Sequence, residues 1–209
     1  MSIRRLYNVP MTPHPERKTM RLASYDYSLP DAYFVTACTK NRELLFDALD
    51  AKLAVELAWH SLLDIFANIE LGELVVMPNH IHCIVWIIEE GSYRLHPGTW
   101  KIDSIYRDER SPIHTDNKFE TLSNIIGAFK TTAATRVNKL RGVIGIPVWQ
   151  KSFYDRIVRN EHELERIQKY IQNNPIKWAE DRDNPVSSKF GSPAKSIDDY
   201  WDEIFDLHL

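Results

Sequence analysis

Two apolar runs, residues 73–77 (ELVVM) and 81–88 (IHCIVWII), are separated by little more than the dipeptide Pro78-Asn79. Runs of this length and composition read as strands, and Pro-Asn is turn chemistry, so the pair predicts an antiparallel hairpin. The flanking segments supply the partners it needs. Residues 32–39 (AYFVTACT) are β-branched and aromatic and predict a strand. Residues 50–68 have helical spacing through Leu53, Leu57, Trp59, Leu62, Leu63 and Phe66, with Asp50 as the expected cap. Residues 122–140 return to that spacing through Ile125, Ile126, Phe129, Ala133 and Val137. A strand over 146–158 follows. Asn160 and Glu163 then open a capping-box-like helix that runs to about Asn174, where Pro175 stops it. The order is strand, helix, strand, strand, helix, strand, helix. It predicts an α+β fold of the ferredoxin-like, split β-α-β kind, an antiparallel sheet with helices packed on one side.

With 209 residues, 44% of them hydrophobic and only 7 glycines, the chain is neither disordered nor fibrous. It can bury a core without disulfides or a structural metal. Cys38 and Cys83 sit inside apolar runs and read as buried thiols, with one disulfide between them left open. No stretch approaches the ~20 apolar residues of a membrane span, and the N-terminus has no apolar core behind its basic residues. A cytoplasmic protein that makes no membrane contact is the expectation. Three parts are expected: a basic arm (1–23), a domain (24–180) containing a variable loop (89–120), and an acidic tail (181–209). The net charge of −3 conceals blocks of opposite sign: residues 121–178 carry ten basic side chains against four acidic, and residues 179–209 three against eight. A basic block permits a nucleic-acid partner, and equally fits a solvated helix face.

The residues with chemistry cluster in two places. In a strand, residues two apart share a face, so His80 and His82 project together while Ile81 and Cys83 face away. Two adjacent imidazoles are half of a metal site, or simply two polar residues near a strand end. On the last helix, Tyr170 and Asn174 share a face in a polar, basic setting. If that face met the histidine strand, the site would hold two imidazoles, an amide oxygen and a phenol. A metal there would polarise a phosphodiester for attack by the phenolate. Tyr170 on a plain packing face is the alternative, and Tyr154 is a rival nucleophile that also reads as core or as a stacking platform for bases.

Several segments, in order, resemble the REP-associated tyrosine transposases of the HUH single-tyrosine nuclease superfamily. They are Tyr25-Asp26-Tyr27 with residues 32–36; residues 76–82 (VMPNHIH); residues 126–130; Val148-Trp149-Gln150; residues 153–160 (FYDRIVRN); Tyr170-Ile171; and Asn174-Pro175. The resemblance covers about 24–180 apart from the 89–120 loop. It implies an antiparallel sheet with the paired histidines on a central strand and the nucleophilic tyrosine on the C-terminal helix. The implied activity is cleavage and rejoining of single-stranded DNA at hairpin-forming repeats through a 5′-phosphotyrosine intermediate, in transposition or repeat mobilisation. By position, His80, His82 and Asn174 become metal ligands and Tyr170 the nucleophile. Asn174 is the shorter counterpart of a glutamine found in some relatives.

Imidazole ligands suit Mn²⁺ or Zn²⁺ on softness, and the resemblance implies Mg²⁺ or Mn²⁺. DNA contacts are expected at Arg4, Arg5, Lys130, Arg136, Lys139, Arg156 and Arg159, on a monomer or homodimer, though any of these cations could be plain surface charge. Two other readings use the same residues: a non-catalytic DNA-hairpin binder of this fold, and an unrelated His-based metal hydrolase.

Overall fold

The computed structural model describes residues 25–88, 121–181 and 183–187. The expected basic arm, the 89–120 loop and most of the acidic tail lie outside these residues, as do Arg4 and Arg5. Four strands, β1 (Asp31–Cys38), β2 (Ile69–Met77), β3 (His80–Ile87) and β4 (Tyr154–Ile157), form one antiparallel sheet in the order β2-β3-β1-β4. Among the described residues three α-helices accompany them: α1 (Leu49–His60), α2 (Leu122–Leu140) and α3 (Glu161–Asn173). This is the expected α+β architecture, with the split β-α-β order.

Strand alternation sorts the core into two layers. Tyr33, Val35 and Ala37 of β1, with Ile81, Cys83, Val85 and Ile87 of β3, pack against α1 and α2 through Val55, Trp59, Ile125, Phe129 and Val137. Their neighbours Ala32, Phe34 and Ile84 face the opposite way and pack with Tyr154, Val158 and two residues of α3, Ile167 and Ile171. The expectation of helices on one side therefore describes α1 and α2; α3 covers the other face. Cys38 and Cys83 are both free thiols, and alternation puts them on opposite faces, so no disulfide joins them.

Local detail departs from expectation at four places. The α1 cap is Ala48, without a side-chain bond, and Asp50 lies inside the first turn, its carboxylate accepting from the Ala51 N–H at 2.8 Å. Leu53 and Leu57 are 48% and 56% exposed, because α1 buries its small face, Ala51, Ala54, Val55 and Ala58, with Trp59. Strand β2 starts four residues before the expected run, its first half disguised by Gly72. There the ladder shifts register, and a Cβ on Gly72 would stand 2.9 Å from Ile84 Cβ, so only glycine fits. Of residues 146–158, only 154–157 form a strand, Trp149 contributing an isolated bridge to Thr39.

The Lys130 ammonium crosses to this irregular stretch, donating to the carbonyls of Gln150 at 2.7 Å, Lys151 at 3.2 Å and Ser152 at 3.4 Å. Trp149 Nε1 donates to the Lys130 carbonyl in return. The α3 start is capped as expected, Asn160 Oδ1 accepting from the Glu163 N–H at 2.9 Å. Glu163, however, does not close the box. Its carboxylate accepts from the Arg159 N–H and from Arg156 Nε, which anchors the helix to the end of β4.

Candidate active site

His80 and His82 lie on β3, flanked by β2 and β1, and project to the α3 face as the strand period requires. Their rings are 4.7 Å apart between centroids, and they are 1% and 2% exposed. Burial pushes both imidazoles well below the ordinary histidine range: His80 to about 3, with the Arg42 charge adding to the effect, and His82 further pressed by His80. Both rings are neutral at pH 7 and keep a lone pair for a ligand role.

Hydrogen bonds fix which nitrogen carries that lone pair at His80. Asn79 Nδ2 donates to the carbonyls of Asp183 at 2.7 Å and Arg42 at 3.2 Å, so Oδ1 is the amide atom facing His80 Nδ1 at 2.9 Å. That oxygen can only accept, so Nδ1 carries the proton and Nε2 the lone pair. His80 Nε2 is buried without a hydrogen-bond partner. At His82, Nδ1 stands 2.7 Å from Thr36 Oγ1 and Nε2 stands 3.2 Å from the Tyr170 hydroxyl. Outer partners of this kind hold metal-binding imidazoles in one tautomer and orientation.

Helix α3 carries Tyr170 to the histidines. Ile167 and Ile171 are buried beneath it, and Gln168 Nε2 donates to Glu73 Oε1 of β2 at 2.8 Å. The Tyr170 ring meets His82 at 5.1 Å and the edge of Phe34 at 6.2 Å, while Phe34 stacks on His82 at 5.6 Å. Asn174, one turn further on, caps the helix, and its Oδ1 is buried without a hydrogen-bond partner. Two orphaned acceptors, His80 Nε2 and Asn174 Oδ1, are what a cation would satisfy. Among the described residues no three His, Cys, Asp or Glu side chains form a group that could hold a metal ion. Two imidazole nitrogens and an amide oxygen are donor types that a divalent ion would take. A ring nitrogen has one lone pair, so His82 Nε2 can serve the Tyr170 phenol or an ion, not both at once.

The other expected residues are distributed differently. Tyr154 is buried on β4 against Phe34, Ile167 and Ile171, as the core reading has it. Lys130 and Arg156 have partners inside the protein: three carbonyls for the first, Glu163 for the second. Arg136, Lys139 and Arg159 are exposed. The first two lie on α2, across the sheet from Tyr170, so sheet and helices separate them from the histidines.

Sequence reading missed Thr36, Asn79, Arg42 and the turn after α3. Asp181 Oδ2 lies 3.9 Å from His80 Nε2, Trp178 packs at 6.1 Å from the same ring, and Arg42 pairs with Asp183. Only the alternation that puts Thr36 on the His82 side of β1 offered a signal.

No family model matches the chain. Its fold is similar to a REP-associated tyrosine transposase solved with a REP hairpin, at 19% identity and a TM-score of 0.44, over 75% of this chain and 74% of that one. A candidate transposase of Deinococcus radiodurans is similar at 19% identity and a TM-score of 0.39, over 73% of this chain and 95% of that one. Among the described residues no helix is long and apolar enough to cross a membrane. A Haemophilus influenzae protein, described as uncharacterized, is 31% identical over 174 residues, which span 79% of this chain and 92% of the relative. Identity at that level along most of both chains makes them one family, and this chain belongs to the family of that Haemophilus influenzae protein.

Proposed function

We propose that this protein is a single-tyrosine DNA transesterase of the REP-associated tyrosine transposase kind, acting on single-stranded DNA beside hairpin-forming repeats. The observation that carries the reading is the Tyr170 hydroxyl standing 3.2 Å from Nε2 of a buried, neutral histidine. A phenol, two imidazoles and an orphaned amide oxygen are the donor set of metal-assisted phosphoryl transfer to a tyrosine.

In this reading the Tyr170 oxygen attacks the scissile phosphorus and the bond to the 3′-oxygen breaks. One strand keeps a 5′-phosphate on the tyrosine, and the other leaves as a 3′-hydroxyl that takes up a proton. Attack by a 3′-hydroxyl on the phosphotyrosine reverses the step and rejoins DNA without ATP. His80, His82 and Asn174 would hold Mg²⁺ or Mn²⁺, which when bound neutralises charge developing on the phosphate. Thr36 and Asn79 orient the two rings. Imidazoles this weakly basic are poor proton acceptors, which suits them as ligands rather than as the base that deprotonates the phenol. Arg159 near the α3 start, together with Arg136 and Lys139 on α2, supplies exposed cations for phosphates outside the reacting bond.

The test is incubation with a hairpin oligonucleotide carrying single-stranded flanks, in Mn²⁺, followed by denaturing electrophoresis. A covalent adduct mapped to Tyr170 by mass spectrometry, absent from Tyr170→Phe, is the expected result. An adduct on Tyr154 overturns the nucleophile. Tight hairpin binding by the wild type with no adduct under any divalent ion leaves a binding protein instead.

A further inference from the structure

We propose that Trp178 is a stacking platform for an unpaired nucleobase of the single-stranded DNA, close to the phosphate that Tyr170 attacks. This rests on the proposed transesterase reading and names the residue that seats the flanking nucleotide. Trp178 opens the short 3-10 turn Trp178–Glu180 just beyond α3. Its ring lies 6.1 Å from that of His80, tilted by 46°. Ring contacts continue from His80 to His82 at 4.7 Å and from His82 to Tyr170 at 5.1 Å. An indole thus stands at one end of a run of rings whose other end is the phenol.

A tryptophan that serves only the core buries its rings and finds a partner for its N–H. Trp149 does both: it is 8% exposed, and its Nε1 donates to the Lys130 carbonyl at 2.9 Å. Trp178 does neither. It is half-buried, and among the described residues its Nε1 is open to solvent with no hydrogen-bond partner. Ile176, two residues before it, is 83% exposed and adds open apolar surface.

The backbone beneath the ring is tied down. The Trp178 carbonyl accepts from Asn184 Nδ2 at 2.9 Å and from the Asp181 N–H at 3.1 Å. Asn184 is buried, and its Oδ1 accepts from the Val186 N–H at 3.1 Å. Asp183 fastens the same segment to Arg42 and to the Asn79 amide. A platform fixed in advance loses little freedom when a base settles on it. Charge then selects base over phosphate. Glu180, Asp181 and Asp183 follow the indole closely in sequence, and carboxylates repel a phosphate but not an uncharged base. Stacking of this kind accepts any base, because every base has a π-face.

The experiment is fluorescence anisotropy of the full-length protein in chelator with two oligonucleotides, a hairpin carrying single-stranded flanks and the same hairpin blunt-ended. In a second series 2-aminopurine, whose fluorescence stacking quenches, replaces each flank base near the stem in turn. The variants are Trp178→Phe, which keeps a ring, and Trp178→Leu, which keeps apolar bulk without one; thermal melting checks the fold of both. Trp178→Leu should bind the flanked hairpin about 5–150-fold more weakly, the range of one base–aromatic stack. It should lose the quench at one flank position and bind the blunt hairpin as the wild type does. Trp178→Phe should keep the quench and most of the affinity. Wild-type affinity for the flanked hairpin in Trp178→Leu, or no quench at any flank position in the wild type, overturns the platform and leaves the DNA reading standing. An equal loss for both hairpins, or failure of Trp178→Leu to fold, also overturns it and assigns the ring to packing. Wild-type protein that binds neither hairpin overturns the DNA reading, and the platform with it.

Discussion

Thr36 Oγ1 lies 2.7 Å from His82 Nδ1, and the two residues are direct register partners across β1 and β3. The sheet itself sets the imidazole angle. Thr36→Val keeps the shape and removes the oxygen. Mn²⁺ affinity and hairpin cleavage are expected to fall by about 10–100-fold, and stability by about 1–3 kcal/mol, because a buried ring nitrogen loses its partner. Calorimetry and a cleavage time course measure both, and wild-type affinity in the variant would show that Thr36 does not orient the ring.

Asn79 is a hub of a different kind, because its amide serves Arg42, Asp183 and His80 together. Asn79→Ala leaves buried groups unpaired, and each group so stranded costs about 1–3 kcal/mol. Denaturant unfolding of the metal-free variant should show a drop of that order or larger. A change within error of zero would mean that water replaces the amide.

Lys130 and the α2 cations should separate cleanly. Lys130→Met keeps the aliphatic stem but strips three carbonyls of their donor, so stability should drop by about 1–3 kcal/mol while the salt dependence of hairpin binding stays put. Arg136→Ala with Lys139→Ala should leave stability alone and flatten the log–log salt slope by about 0.7–0.9 for each phosphate no longer neutralised. Fluorescence anisotropy across a salt series distinguishes the two. A flatter slope in Lys130→Met would return that lysine to the DNA surface.

The histidine pair gives the metal-free protein an acid sensitivity whose sign is fixed. Both pKa values are depressed in the folded state, so the unfolded chain binds more protons below the ordinary histidine pKa of ~6.5. Stability is full above that value and falls as pH drops toward the folded His80 value of about 3. The slope reaches about 1.4 kcal/mol per pH unit for each histidine. Unfolding in chelator from pH 7.5 to 5 measures it, and His80→Asn should have a visibly shallower slope than wild type.

The parts of this protein legible in its sequence are those set by period and by local stops. Helix α2 occupies 122–140 as its apolar spacing predicts, with Thr121 capping it through the Asn124 N–H. The shared face of His80 and His82 follows from strand geometry alone. Large side chains misled the reading of α1, where alanines make the close contact and the leucines stay wet. Residues 146–158 form a strand only at 154–157, and the Lys130 bond to the Gln150 carbonyl reaches this stretch from another element 20 residues upstream, which local pattern does not announce. Most of what surrounds the histidines was hidden for the same reason. Asn79 and Asp183 are 104 positions apart, and no local pattern announces that they meet.

The two-layered core separates two kinds of selective pressure. The apolar mass that α1 and α2 bury lies on one side of the sheet, while His80, His82 and Tyr170 lie on the other with a smaller apolar set. A lineage could therefore lose the phenol or an imidazole and still inherit a folded domain with its α2 cations in place. Descendants of such a loss would persist as folded domains without their chemistry, and their histories would be written in the α3 face alone.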